Sequence, residues 1–108
     1  MDFQTIVTKA VGIRNKYSEL EKKKYGKEWT KEQVMEGFVG DVGDLMKLVM
    51  SKSGIRNIDN VDEKLAHELS DCFWCVIVLA QKYGVNLEEA FMKSMEELEK
   101  RIAVETTA

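Results

Sequence analysis

Two pairs of acids set into two apolar stripes constrain this chain more than any other feature. Asp41 and Asp44 stand three residues apart, as do Glu68 and Asp71. On a helix that step puts both side chains on one face, with Cβ atoms roughly 5–6 Å apart. Val34, Phe38, Leu45 and Val49 recur at helical spacing around the first pair, and Asp41 falls inside that stripe. Leu65, Leu69, Cys72, Val76 and Leu79 form a second stripe with Glu68 at its margin. A charge turned toward a core is costly unless it is paired. Four carboxylates gathered at one seam repel each other unless a cation lies among them, and Mg²⁺ or Mn²⁺ is the usual partner of all-oxygen ligands. Solvated helices also carry acids three apart, so the doubling of the pair carries the inference.

The rest of the chain predicts an all-α fold. No proline occurs, which permits long uninterrupted helices. Phe3, Ile6, Val7, Ala10, Ile13, Tyr17 and Leu20 predict a first helix over 2–24, capped by Asp2 and stopped at Gly26. Thr30 and Gln33 form a capping box for a second helix over 31–52. Within it, Gly37, Gly40 and Gly43 recur at three-residue steps around Asp41. They fit close approach by a backbone or ligand, and equally fit tight helix packing. Gly54 ends this helix, 53–60 reads as a polar loop, and Asn60 with Glu63 suits the cap of a third helix over 61–83. Asn86 and Glu89 suit the cap of a fourth over 87–103, with Leu87, Phe91, Met95, Leu98 and Ile102 on its inner side. From Cys72 to Ala80 the third helix is apolar on every side, which demands burial on every side. A four-helix chain this short does not supply that alone, so the expected architecture is a helical bundle assembled as a homodimer or homotetramer, a dimer or dimer of dimers.

Composition narrows the function. At 108 residues and 44% hydrophobic, the chain fits one all-α domain over 1–108 with a modest core. A net charge of −3 argues against duplex nucleic acid as a partner. The Lys22-Lys23-Lys24 run with Lys27 suits a solvated helix end. Cys72 and Cys75 lack the further ligands a zinc site needs, His67 being the single histidine, and read as small core residues. No secretory leader pattern is seen, and the Cys72–Ala80 run is too short to span a bilayer. The expectation is a cytoplasmic protein with no membrane partner.

The acid pairs, as they stand, carry a resemblance. Gly40-Asp41-Val42-Gly43-Asp44-Leu45 and His67-Glu68-Leu69-Ser70-Asp71 resemble the Glu-x-x-Glu and Glu-x-x-Asp motifs of the MazG-like all-α nucleoside triphosphate pyrophosphohydrolases, a superfamily that includes dimeric dUTPases and dCTP pyrophosphatases. Leu79-Ala80-Gln81-Lys82-Tyr83-Gly84-Val85-Asn86-Leu87-Glu88-Glu89-Ala90 resembles the family's helix end and turn, and Trp29-Thr30 its entry to the second helix. The likeness covers about 25–100. It implies metal-ligand and catalytic roles for Asp41, Asp44, Glu68 and Asp71, with Mg²⁺ or Mn²⁺ as cofactor. It further implies cleavage of a (d)NTP to a (d)NMP and pyrophosphate by a metal-activated water, in house-cleaning of nucleotide pools. Trp29 is the candidate nucleotide-binding residue, with Ile13 and Tyr17 as further candidates for covering a base.

The chain departs from the family pattern. Both glutamates of the first motif are aspartates, each roughly 1.5 Å shorter in reach against Mg–oxygen distances of about 2.1 Å. The family's lysine and asparagine on the fourth helix are replaced within Ser94-Met95-Glu96-Glu97-Leu98. The dCTP branch's base-sandwiching aromatics are replaced by Ser51 and Cys75 at the matching positions. An alternative reading is therefore a catalytically weakened or inactive helical oligomer of this fold that binds metal or nucleotide. A purely structural helical partner module predicts neither binding nor turnover.

Overall fold

The computed structural model describes residues 1–107, in four helices: α1 (Phe3–Tyr25), α2 (Lys31–Lys52), α3 (Val61–Lys82) and α4 (Leu87–Thr107). Their limits follow local chemistry. Asp2 accepts the Thr5 amide and caps α1. Gly26, at φ 81°, ends it in the left-handed conformation that glycine adopts without a Cβ penalty. Thr30 and Gln33 form the expected capping box, and Asn86 accepts the Glu89 amide ahead of α4. Asn60 differs from expectation. It stands at the start of α3 in the left-handed region, φ 55°, and its side chain makes no capping bond.

α2 and α3 pack as an antiparallel pair, and α1 lies against α3. Val34 and Leu48 of α2 and Ile77 and Val78 of α3 form the buried apolar core. The stripes are narrower than their sequence spacing predicts: Val49 and Leu69 are exposed. The third helix is not buried on every side, since Phe73 is also exposed.

Four helices are present as expected, but one chain does not close them into a bundle. α4 contributes no buried residue, and Phe91, Leu98 and Ile102 of its expected inner side are exposed. The radius of gyration is 17.5 Å, against about 13 Å for a close-packed chain of this length. Among the described residues, no helix is long and apolar enough to cross a membrane.

α1 holds a surprise. Its buried residues are Arg14, Ser18 and Glu21, all polar, at four- and three-residue steps along one face. Arg14 and Glu21 form an ion pair, and Glu21 Oε1 also accepts the Trp29 amide at 2.9 Å. The pair thus ties the α1–α2 connection to the flank of α1.

Candidate metal centre and adjoining cavity

The three-residue step on α2 brings Asp41 and Asp44 to the face that meets α3, and Glu68 stands opposite. One carboxylate oxygen from each of the three lies within 4.8 Å of the others. Glu68 Oε1 is buried without a hydrogen-bond partner, and such an orphan is costly in a folded protein. Burial, then the negative charge of Asp41, pushes the Glu68 carboxyl above its ordinary range. Convergent hard oxygens, mutual repulsion and an orphaned acceptor all fit a divalent cation.

Asp71 is placed differently. Its Oδ2 lies 3.2 Å from His67 Nε2, one turn away on α3. The four acids predicted to share one site therefore divide into a cluster of three and a neighbour held by histidine. Asp44 is 3.8 Å from Lys47 Nζ, an exposed pair at the solvent edge, and such a contact is weak in water. The Cys75 thiol donates to Asp41 Oδ2 at 3.5 Å. Burial, together with that contact, pushes the Cys75 thiol up to about 12, so it remains a protonated donor at neutral pH.

Asp41 and Asp71 also line a cavity of about 480 Å³ between α1, the α1–α2 connection and the α2–α3 pair. That volume is within the range of small-molecule sites, roughly 300–1,000 Å³. Tyr17, Trp29 and Trp74 form aromatic walls, and the buried Arg14 opens onto the same space. The Trp74 indole donates to the Ala10 carbonyl at 2.9 Å and stands 5.9 Å from the Tyr17 ring, centroid to centroid. Trp29 lies over the Arg14 guanidinium at 5.8 Å. Its ring rests on Gly37, where an added Cβ would come within 3.1 Å.

The three α2 glycines thus have separate meanings. Gly37 admits Trp29, while Gly40 and Gly43 face open space and bring no second backbone close. Of the residues expected to cover a base, Tyr17 and Trp29 line the cavity; Ile13 lies on a different groove, beside Asp2 and Lys16. Arg14, Ser18 and Glu21 lie outside the apolar pattern that predicts α1. Their signal was present as a polar continuation of the α1 face that begins with Val7 and Ala10.

The fold and site define a class: an all-helical protein with a cluster of three carboxylates able to hold a metal ion beside an aromatic cavity. The sequence profile of the MazG nucleotide pyrophosphohydrolase domain matches residues 29–103. The chain belongs to this family, whose domain is named for nucleotide pyrophosphohydrolase activity. Comparison with curated proteins gave no match, and neither did comparison with solved structures.

Proposed function

We propose that the protein is a nucleoside triphosphate pyrophosphohydrolase that cleaves (d)NTPs to (d)NMPs and pyrophosphate, with Mg²⁺ or Mn²⁺ held by Asp41, Asp44 and Glu68. The observation that carries this reading is the orphaned Glu68 oxygen among convergent acids, next to an aromatic-walled cavity of small-molecule size. A divalent cation supplies charge neutralisation at the phosphates and lowers the pKa of a coordinated water. The residues do the rest. The aromatic walls hold the base, with Trp29 set by Glu21 and Gly37. Asp71 lies outside the cluster but on the same cavity, where it is suited to accept a proton, and His67 orients it. The role is house-cleaning of cytoplasmic nucleotide pools. Pyrophosphate release from a (d)NTP panel with Mg²⁺ or Mn²⁺ tests the reading. Glu68→Gln and Asp71→Asn should each abolish most turnover, and activity untouched by both would exclude this site.

The protein works as a homodimer or homotetramer in this reading. Val39, Val42, Met46 and Val49 form an exposed apolar stripe on α2, and Phe91, Leu98 and Ile102 another on α4. Contiguous apolar faces of this kind are unusual on monomers. The division of the acids also supports a second reading. With three carboxylates gathered and Asp71 engaged by His67, the protein would bind metal and nucleotide but turn over poorly. Calorimetric binding of Mn²⁺ and nucleotide without pyrophosphate release would select it.

A further inference from the structure

We propose that Arg14 selects the nucleobase: its guanidinium donates to a ring nitrogen or carbonyl on the edge of the base held between Trp29 and the Tyr17–Trp74 wall. The assignment rests on the reading above that this cavity takes the base.

Arg14 is 7% exposed and Glu21 8%, yet both line the cavity. Long charged side chains are rarely so buried unless each polar group is used. Arg14 directs Nε and Nη2 to the Ser18 hydroxyl and Nη2 also to Glu21. Among the described residues, Nη1 has no partner. Nη1 is not sealed off, so a guanidinium fixed by its own helix and overlain by Trp29 leaves one donor open to the cavity, where a ligand can take the place of water. Glu21 neutralises the charge, so the pair offers phosphate little attraction. What it offers is directional hydrogen bonding, the kind that reads a base edge. A donor fixed in one place cannot match all four bases, because their acceptors lie at different points of the ring. A built polar group also penalises the ligand that leaves it unpaired.

The test uses binding. The chain has two tryptophans, and both line the cavity, so intrinsic fluorescence reports occupancy without catalysis. The 108-residue chain is titrated with the four nucleoside monophosphates and with tripolyphosphate. The variant combines Arg14→Met with Glu21→Gln, so that no lone charge is left buried and an acceptor for the Trp29 amide remains. Circular dichroism and melting establish that it folds. The wild type should prefer one base by about tenfold or more, as expected for one charge-assisted hydrogen bond. The double variant should bind all four within about threefold, with tripolyphosphate affinity moved less than twofold. A wild type without base preference overturns the proposal. So does a variant that keeps the preference, or one that loses tripolyphosphate affinity as much as monophosphate affinity. If the double variant does not fold, Arg14→Lys, which keeps the charge but not the planar fork, is put through the same titrations with the same outcomes. Pyrophosphate release separates the two readings. Base selectivity without turnover leaves the Arg14 assignment standing and removes the hydrolase; turnover without base selectivity does the reverse.

Discussion

Replacing Glu68 by glutamine should stabilise the metal-free protein and deprive it of its response to metal. The Glu68 carboxylate lies within 4.8 Å of an oxygen from each of Asp41 and Asp44. Like charges at that separation repel by about 1 kcal/mol in water and about 3.5 kcal/mol at an effective dielectric near 20. The seam is open to solvent on the Asp44 side, so the lower part of that range applies. Proton uptake sets a ceiling. From an ordinary value of 4.5 to pH 7, protonating the group costs about 3.4 kcal/mol, and repulsion beyond that is relieved by taking a proton. A gain of about 1–2 kcal/mol is expected, raising the melting temperature by several degrees, at about 4–8 °C per kcal/mol for a domain of this size. With Mg²⁺ at a hundred times its dissociation constant, the wild type gains about 2.7 kcal/mol and the variant little.

The two melting temperatures should therefore change order between EDTA and saturating Mg²⁺. The pH dependence has a definite sign. A carboxyl raised in the folded state binds more protons there than in the unfolded chain between 4.5 and its folded value. Stability in EDTA is then lost as pH rises through that window, and the Glu68→Gln variant lacks this loss. Scanning calorimetry in EDTA and in Mg²⁺ from pH 4 to 8 measures all three effects. A variant that melts lower than wild type in EDTA, or that gains as much from Mg²⁺, would refute the picture of opposed acids awaiting a cation.

Further expectations follow from single contacts. Gly37→Ala adds a methyl 3.1 Å from the Trp29 ring; the helix gains about 1 kcal/mol in propensity, so melting should change little. Displacement of the ring should shift tryptophan emission and raise KM several-fold. With Cys72→Ala as background, Cys75, its thiol pushed up to about 12, should react with iodoacetamide at pH 8 on the order of a hundredfold more slowly than a free thiol, the small thiolate fraction being partly offset by its greater nucleophilicity; mass spectrometry follows the adduct. Phe91→Asp with Ile102→Asp on the exposed α4 face should convert a dimer or larger species to monomer in sedimentation velocity. A wild type that sediments as a monomer would remove the assembly from the proposal.

The helices and their ends were largely legible because caps and stops are local. Asp2, the Thr30–Gln33 box and Gly26 act within a turn of themselves, and the structure uses each. The cluster of Asp41, Asp44 and Glu68 was legible for the same reason, as two helical steps facing one seam. Asp71 is not fully so: it lies outside the cluster, with its Oδ2 beside His67 Nε2 one turn back on α3, a placement that the three-residue step alone does not specify. The α1 triad is not legible from apolar spacing, which marks an inward face only where that face is apolar. Here the inward face becomes polar at Arg14, and only the fold brings Trp29 back over it. The periodic apolar face of α4 predicts a bundle helix, but periodicity says only that a face wants cover, not that the same chain supplies it.

These features share one physical logic. Four apolar side chains make up the buried hydrophobic core, and three of the other buried residues are polar or charged. Beside them, three carboxylates meet with one oxygen unpaired. The acid cluster at the α2–α3 seam therefore costs the isolated chain stability, and a core this small has little to spare. The exposed stripes on α2 and α4 are where that deficit can be offset. Burying them against a second copy gains apolar burial without altering the seam, so the acids can stay unpaired until a cation arrives. If self-association stabilises the fold and ligands satisfy the seam, disrupting the α4 face should lower the melting temperature without abolishing its rise with Mg²⁺. Glu68→Gln should do the opposite. The double-mutant cycle between the two should be additive within about 0.5 kcal/mol, as for distant sites with no shared partner.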